Sequence, residues 1–212
     1  MITHLMATVW KHLLFYCALL GYLVSGCGVS LAEDRPLGKL EAGATVVWDT
    51  SARDRTSEFI IRIASYSPAR HFEWESRAQQ GTIRIPEHVL KEGKKITFAR
   101  LFDNGVDIDG ADFLTLWLSE RIYEELKTSK RSKIMMDSIK DEFSLVDNLR
   151  YTLTIDKERT EVPALKVKDS RGATWIFLDD LENPILLEYK NQYYEQKIRY
   201  VTTRGNILRW IH

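Results

Sequence analysis

Between positions 103 and 112 the chain reads Asp103-Asn104-Gly105-Val106-Asp107-Ile108-Asp109-Gly110-Ala111-Asp112, a run of hard oxygen donors on a glycine-bearing loop. Carboxylates so arranged suit Ca²⁺. Aligned as an EF-hand with Gly110 at the sixth position, the first ligand position falls on Gly105 and the twelfth on Leu116. Neither offers a side-chain oxygen, so the stretch reads as an exposed loop built on Asx turns, and no metal is expected there.

His71-Phe72-Glu73-Trp74-Glu75 is a second constellation. An imidazole and two carboxylates on one face of a strand are transition-metal ligand types. No second histidine lies at ligand spacing, and Phe72 and Trp74 occupy the opposite face, so the trio reads as the wet side of an amphipathic strand. Lys127-Thr128-Ser129-Lys130-Arg131-Ser132-Lys133 is the one basic cluster. It follows a helix C-terminus, where cations are favourable, and it could also meet anionic lipid headgroups. Nucleophilic catalysis finds no motif: there is no Gly-x-Ser-x-Gly, no Ser-x-x-Lys and no glycine-rich phosphate loop. Beyond the N-terminal segment the histidines are His71, His88 and His212. The expectation is a protein that is not an enzyme, with no catalytic residue and no cofactor.

These residues sit on elements that read mainly as β. Tyr151-Thr152-Leu153-Thr154-Ile155-Asp156 alternates apolar and polar, the period of a half-buried strand. Turns follow at Asp156-Lys157-Glu158-Arg159, at Asp169-Ser170-Arg171-Gly172 and over residues 179–183. Trp175-Ile176-Phe177-Leu178 is apolar on both faces and needs cover on both. Pro163 predicts an edge strand or a bulge. Upstream strands are expected over residues 45–48, 58–64, 70–76, 81–86, 95–99, 133–137 and 143–146. One principal helix is expected from Ser119, an N-cap, to Lys127, with Leu118, Ile122 and Leu126 striping its inner face. The fold class is therefore mainly β with one principal helix: a curved antiparallel sheet or open β-barrel of roughly eleven strands, covered by the helix.

The 212 residues carry 30 basic and 30 acidic side chains. That balance gives no electrostatic reason to expect nucleic acid as a partner. Residues 1–32 read as an export segment: Lys11, then the apolar run Leu13-Leu14-Phe15-Tyr16-Cys17-Ala18-Leu19-Leu20-Gly21-Tyr22-Leu23-Val24. Val24-Ser25-Gly26-Cys27 resembles a bacterial lipobox, which makes Cys27 the candidate lipidation site. Ser30-Leu31-Ala32 before Glu33 offers a soluble-export cut instead, and retention as a membrane anchor is the third reading. Residues 33–43 read as a polar tether and 44–212 as a single β-rich domain. With Cys17 and Cys27 both near the N-terminus, no disulfide is expected in the body.

Residues 152–155, Val162-Pro163-Ala164-Leu165-Lys166-Val167, residues 175–179 and Asn183-Pro184-Ile185-Leu186-Leu187 carry a resemblance. Over about residues 150–203 the chain resembles uncharacterised exported bacterial β-proteins similar to the lipoprotein-carrier (Lol-like) curved sheet. The resemblance implies an open barrel with an apolar concavity. Trp74, Trp117, Trp175 and Phe177 lie on segments expected to converge there, as candidate ligand-lining residues. Two function classes follow: an envelope-associated module binding a lipid or other apolar small molecule, in the periplasm or as a membrane-anchored lipoprotein, or a structural interaction protein of the envelope with an unidentified protein partner.

Overall fold

The computed structural model describes residue 37 and residues 40–203, apart from 54, 78, 99, 100, 103 and 104. Cys27 and the export segment lie outside the described residues, as do Asp103, Asn104 and His212. The strands are β1 (Thr45–Ala52), β2 (Arg55–Ser65), β3 (Arg70–Ser76), β4 (Gln79–Ile85), β5 (Lys95–Ile96), β6 (Asp107–Asp109), β7 (Arg131–Met136), β8 (Ile139–Ile155), β9 (Glu158–Lys168), β10 (Thr174–Leu178), β11 (Leu186–Lys190) and β12 (Tyr194–Thr202). Among the described residues two helices accompany them, α1 (Glu87–Glu92) and α2 (Glu120–Ser129). The mainly β, curved architecture expected from the alternation is present, with twelve strands in one sheet ordered β5-β7-β8-β9-β10-β11-β12-β1-β2-β3-β4-β6.

A further pairing makes the sheet partly ring-like. β12 runs parallel to the end of β8, with Tyr200 opposite Thr154 and Val201 opposite Ile155. Strands β8 to β12 thereby form a closed circuit, from which β1, β2, β3, β4 and β6 extend as a curved wing. The long β8 makes this possible. Its first residues pair with β7 and the rest with β9, and a register shift at Leu145/Asp147 bends it between the two tasks. Two tight hairpins flank it. Asp137 and Ser138 (φ 47° and 69°), then Asp156 and Lys157 (φ 48° and 77°), supply the paired left-handed residues that a two-residue hairpin of matching twist requires.

Inward residues alternate along each strand: Phe59, Ile61 and Ile63 on β2, Phe72 and Trp74 on β3, Ile83 and Ile85 on β4. β10 is buried on both faces, as its composition demands. Helix α2 begins where expected. The Ser119 Oγ accepts from the Ile122 amide at 3.2 Å and donates to the Gly93 carbonyl at 2.6 Å. Ile122 and Leu126 are fully buried. The outer end of α2 is held to the end of β10, because Tyr123 and Lys127 both donate to the Asp179 carboxylate, at 2.6 and 2.8 Å.

Three expectations need correction. Where the expected 33–43 tether is described it is not free of the body: Leu37 and Leu40 are buried in the core, and the Asn183 amide donates to the Leu37 carbonyl at 2.9 Å. An apolar residue every third position is enough to dock a short polar-looking segment. Pro163 lies in β9 between β8 and β10, away from the bulge. Its carbonyl accepts from the Asp179 amide at 2.9 Å, just past the last paired residue of β10, so the ring nitrogen faces a place where the ladder has ended. The strand expected over 95–99 stops at Ile96, since the Thr97 amide turns to the Leu114 carbonyl at 2.9 Å. Among the described residues no helix is long and apolar enough to cross a membrane.

Candidate functional site

Asp107, Asp109 and Asp112 of the acidic loop do not gather their carboxylates. Residues 107–109 form β6, parallel to β4. Asp107 accepts from the Thr82 amide at 2.9 Å, Asp109 pairs with Arg84 at 3.1 Å and Asp112 with Lys95 at 2.9 Å. The carboxylates thus point to three separate partners. On β3, Phe72 and Trp74 face inward while Glu75 pairs with Arg62 at 3.3 Å across the outer face. No group of three or more metal-binding side chains occurs among the described residues. In the basic cluster Lys127 is engaged by Asp179 and Arg131 by Glu142 at 3.5 Å, while Ser132 is buried against Glu125.

The four candidate lining residues are core residues. Trp117 donates its indole N–H to Asn183 Oδ1 at 3.0 Å, and Trp175 donates to Asp169 Oδ2 at 3.1 Å. Trp175 and Phe177 lie parallel, 6.1 Å apart, against Phe143. Trp74 packs edge-on against Phe102. The structure does not bring the four to one surface. Trp117 borders a small cleft with Arg70 and Pro184, and Trp74 a polar one with Arg62 and Asp107.

A cavity of about 610 Å³ opens instead at the hairpin ends of the adjacent strands β12, β1, β2 and β3, and none of the four lines it. Strand register builds its floor. In the deeper row Trp48 stands opposite Ile198 and Phe59, all apolar. One pair further out Thr50 stands opposite Gln196 on one side and Ser57 on the other, so the next inward row is polar. The row is internally bonded. Arg77 Nε, from the β3–β4 turn, donates to Ser57 Oγ at 3.4 Å; Ser57 Oγ lies 2.7 Å from Thr50 Oγ1; and Thr50 Oγ1 donates to the Ser57 carbonyl at 2.9 Å. At the other end the Tyr194 hydroxyl donates to Gln196 Oε1 at 2.9 Å.

The roof is aromatic. Phe102 leans on Phe59 (4.6 Å between centroids) and Trp74 (5.1 Å), while Phe98 leans on Tyr189 (4.9 Å) and Trp175 (5.1 Å). Burial pushes the Tyr189 phenol above its ordinary pKa, with Asn191 acting in the opposite direction, so the ring enters the cavity as a neutral group. Arg77 is the one cation among the described lining residues, and no carboxylate, imidazole or thiol stands among them. Among the described lining residues the Ser and Thr hydroxyls have no adjacent base to activate them. What the arrangement offers is an aromatic enclosure with a few fixed polar atoms and one positive charge at the rim. The volume falls within the range of about 300–1,000 Å³ typical of small-molecule sites.

Comparison with known proteins adds no assignment: no family model, curated protein or solved structure matches the chain. The site therefore stands on its own geometry. Its residues were not among the sequence candidates, although a signal exists. Gln196 alternates between Tyr194 and Ile198, and Thr50 between Trp48 and Ala52. A polar residue at an inward position of two strands marks a site once those strands are known to be neighbours.

Proposed function

We propose that the chain is a non-catalytic binding module of the bacterial envelope, exported by its N-terminal segment, that holds an amphipathic small molecule of the lipid class in the hairpin-end cavity. The observation that carries the reading is the cavity itself, walled by Phe59, Phe98, Phe102, Tyr189 and Tyr194 yet floored by a polar row. A packed β core leaves few voids larger than a water molecule. Each methylene moved from water onto such rings contributes about 0.8 kcal/mol before ordering costs. Export rests on the layout of residues 1–32, with Cys27 as the lipidation candidate.

The test is a titration of the purified full chain with a fluorescent fatty acid, competed by unlabelled acids from octanoate to stearate. Saturable one-to-one binding is expected, weakened several-fold in Phe98→Ala and Phe102→Ala. No saturable binding at any chain length would remove this reading and put the interaction-protein alternative first. Mass spectrometry of protein taken from its native membrane tests export: an acylated Cys27 N-terminus supports the lipoprotein version, and a Glu33 N-terminus supports soluble export.

A further inference from the structure

We propose that the polar floor of this cavity is a head-group subsite for a single carboxylate, so that an amphipathic acid enters head first with its apolar body against Phe98, Phe102 and Tyr189. The proposal rests on the small-molecule reading above and adds the ligand's charge and direction.

Gln196 is 3% exposed and lines the cavity. Its Oε1 is taken by the Tyr194 hydroxyl, while its Nε2 has no hydrogen-bond partner. An amide N–H₂ sealed in without an acceptor is costly, and folded proteins keep few such groups. Its cross-strand neighbours do not relieve it: the Thr50 hydroxyl bonds to Ser57, the Tyr189 hydroxyl accepts from Asn191 Nδ2 at 2.7 Å, and neither accepts from Nε2. Gln196 borders the cavity, so an acceptor for the amide would enter from there.

Arg77 fixes the sign of that acceptor. Turning the Gln196 amide over would present an oxygen rather than an N–H₂, so the amide alone does not choose between donor and acceptor ligands. The guanidinium at the far end of the same row does. Among the described residues it forms no ion pair with a carboxylate, and no acidic side chain stands among the described lining residues to neutralise it. One unmatched cation favours one negative charge on the ligand. Gln196 and Ser57 are two strand steps apart, roughly 10 Å at about 4.8 Å per step. Glutamine and arginine side chains reaching inward span that distance with a carboxylate between them, one oxygen toward Nε2 and the other toward the guanidinium. A purely apolar tail over this floor would leave Nε2 as unsatisfied as before.

Calorimetric titration of the full chain with dodecanoate, methyl dodecanoate and dodecanamide tests the proposal. Dodecanoate is expected to bind about 10- to 100-fold more tightly than the neutral analogues, the range of a hydrogen bond to a charged group. Arg77→Gln should cost the acid about tenfold and close most of the acid–ester gap, while Gln196→Met, which removes a donor that the ester carbonyl can also use, should weaken both acid and ester. Gln196→Met also gives up the bond that Oε1 accepts from the Tyr194 hydroxyl; if it does not fold, the acid–ester comparison on the native chain and on Arg77→Gln decides. Equal binding of acid and ester, tighter binding of the amide, or a Gln196→Met variant with undiminished acid affinity would overturn the carboxylate subsite while leaving the binding module standing. Failure of all three compounds to bind would remove both.

Discussion

Asn183 ties three segments together, and its removal should be felt in each. The residue is fully buried. Its Oδ1 accepts from the Trp117 indole at 3.0 Å and its Nδ2 donates to the Leu37 carbonyl at 2.9 Å. Its backbone N–H reaches Asp180 O at 3.2 Å and its carbonyl receives Ile185 N at 2.7 Å, bonds that an alanine would keep. Asn183→Ala therefore deletes the side-chain bonds alone and strands a buried indole N–H and a buried carbonyl. Each orphan costs about 1–3 kcal/mol, so the variant should lose about 2–5 kcal/mol. For a domain of this size that is a fall in Tm of about 5–15 °C. Urea unfolding should show a lower midpoint at unchanged slope, and limited proteolysis should find new cleavage near Leu37. Trp117→Phe supplies the partner arm of a double-mutant cycle, with a coupling of at least about 1 kcal/mol expected. An Asn183→Ala protein within about 0.5 kcal/mol of the parent, or zero coupling, would refute the account.

Two further outcomes test other parts of the fold. Gly81→Ala would place a Cβ 2.1 Å from Val106 O and 2.9 Å from Trp74 Nε1, neither of them a flexible chain end. It should displace β6 and cost about 1–3 kcal/mol in urea unfolding, and parental stability would contradict the close approach. At Asp141 burial alone would raise the carboxyl, but bonds from Ser170 Oγ, the Ser170 amide and the Glu142 amide, with the Arg171 charge, more than offset it and hold it below the usual range. A depressed pKa gives stabilisation that is complete above the ordinary value, about 3.9, and is lost as pH falls through the lower folded value. The stability gap between parent and Asp141→Asn should therefore be flat near neutrality and close below about pH 4; a gap constant down to about pH 2 would count against the assignment.

What was legible in the sequence was whatever short-range chemistry decides. Apolar alternation gave the strands, the turn read at residues 156–159 holds the left-handed pair Asp156 and Lys157, and Ser119 capped the helix where its hydroxyl suggested, whereas Asp137, read as the end of a strand, opens a hairpin turn with Ser138. The 143–146 and 151–155 strands were seen apart because Val146-Asp147-Asn148 has turn composition; in the fold it is a bulge inside one strand. The parallel closures of β12 on β8 and of β6 on β4 join residues far apart in sequence and leave no local signature. The site was hidden for the same reason. Gln196 and Thr50 form a row only through register, and size alone drew attention to tryptophans that fill the layers behind the cavity.

That same row explains why the cavity stays open. Trp48, Ile198 and Phe59 fill the deeper layer. The layer above them is made of Thr50, Ser57 and Gln196, smaller or polar, and cannot fill the equivalent space. An apolar roof that dropped onto it would set carbon against a row of hydroxyl and amide groups and gain little from the contact. The roof rings are instead held from the sides: Phe102 by Phe59 and Trp74, Phe98 by Trp175 and Tyr189. Two ring clusters thus prop a cover above a floor that resists being covered by carbon. The floor is most readily satisfied by a molecule that brings an acceptor inward and leaves its apolar body under the rings.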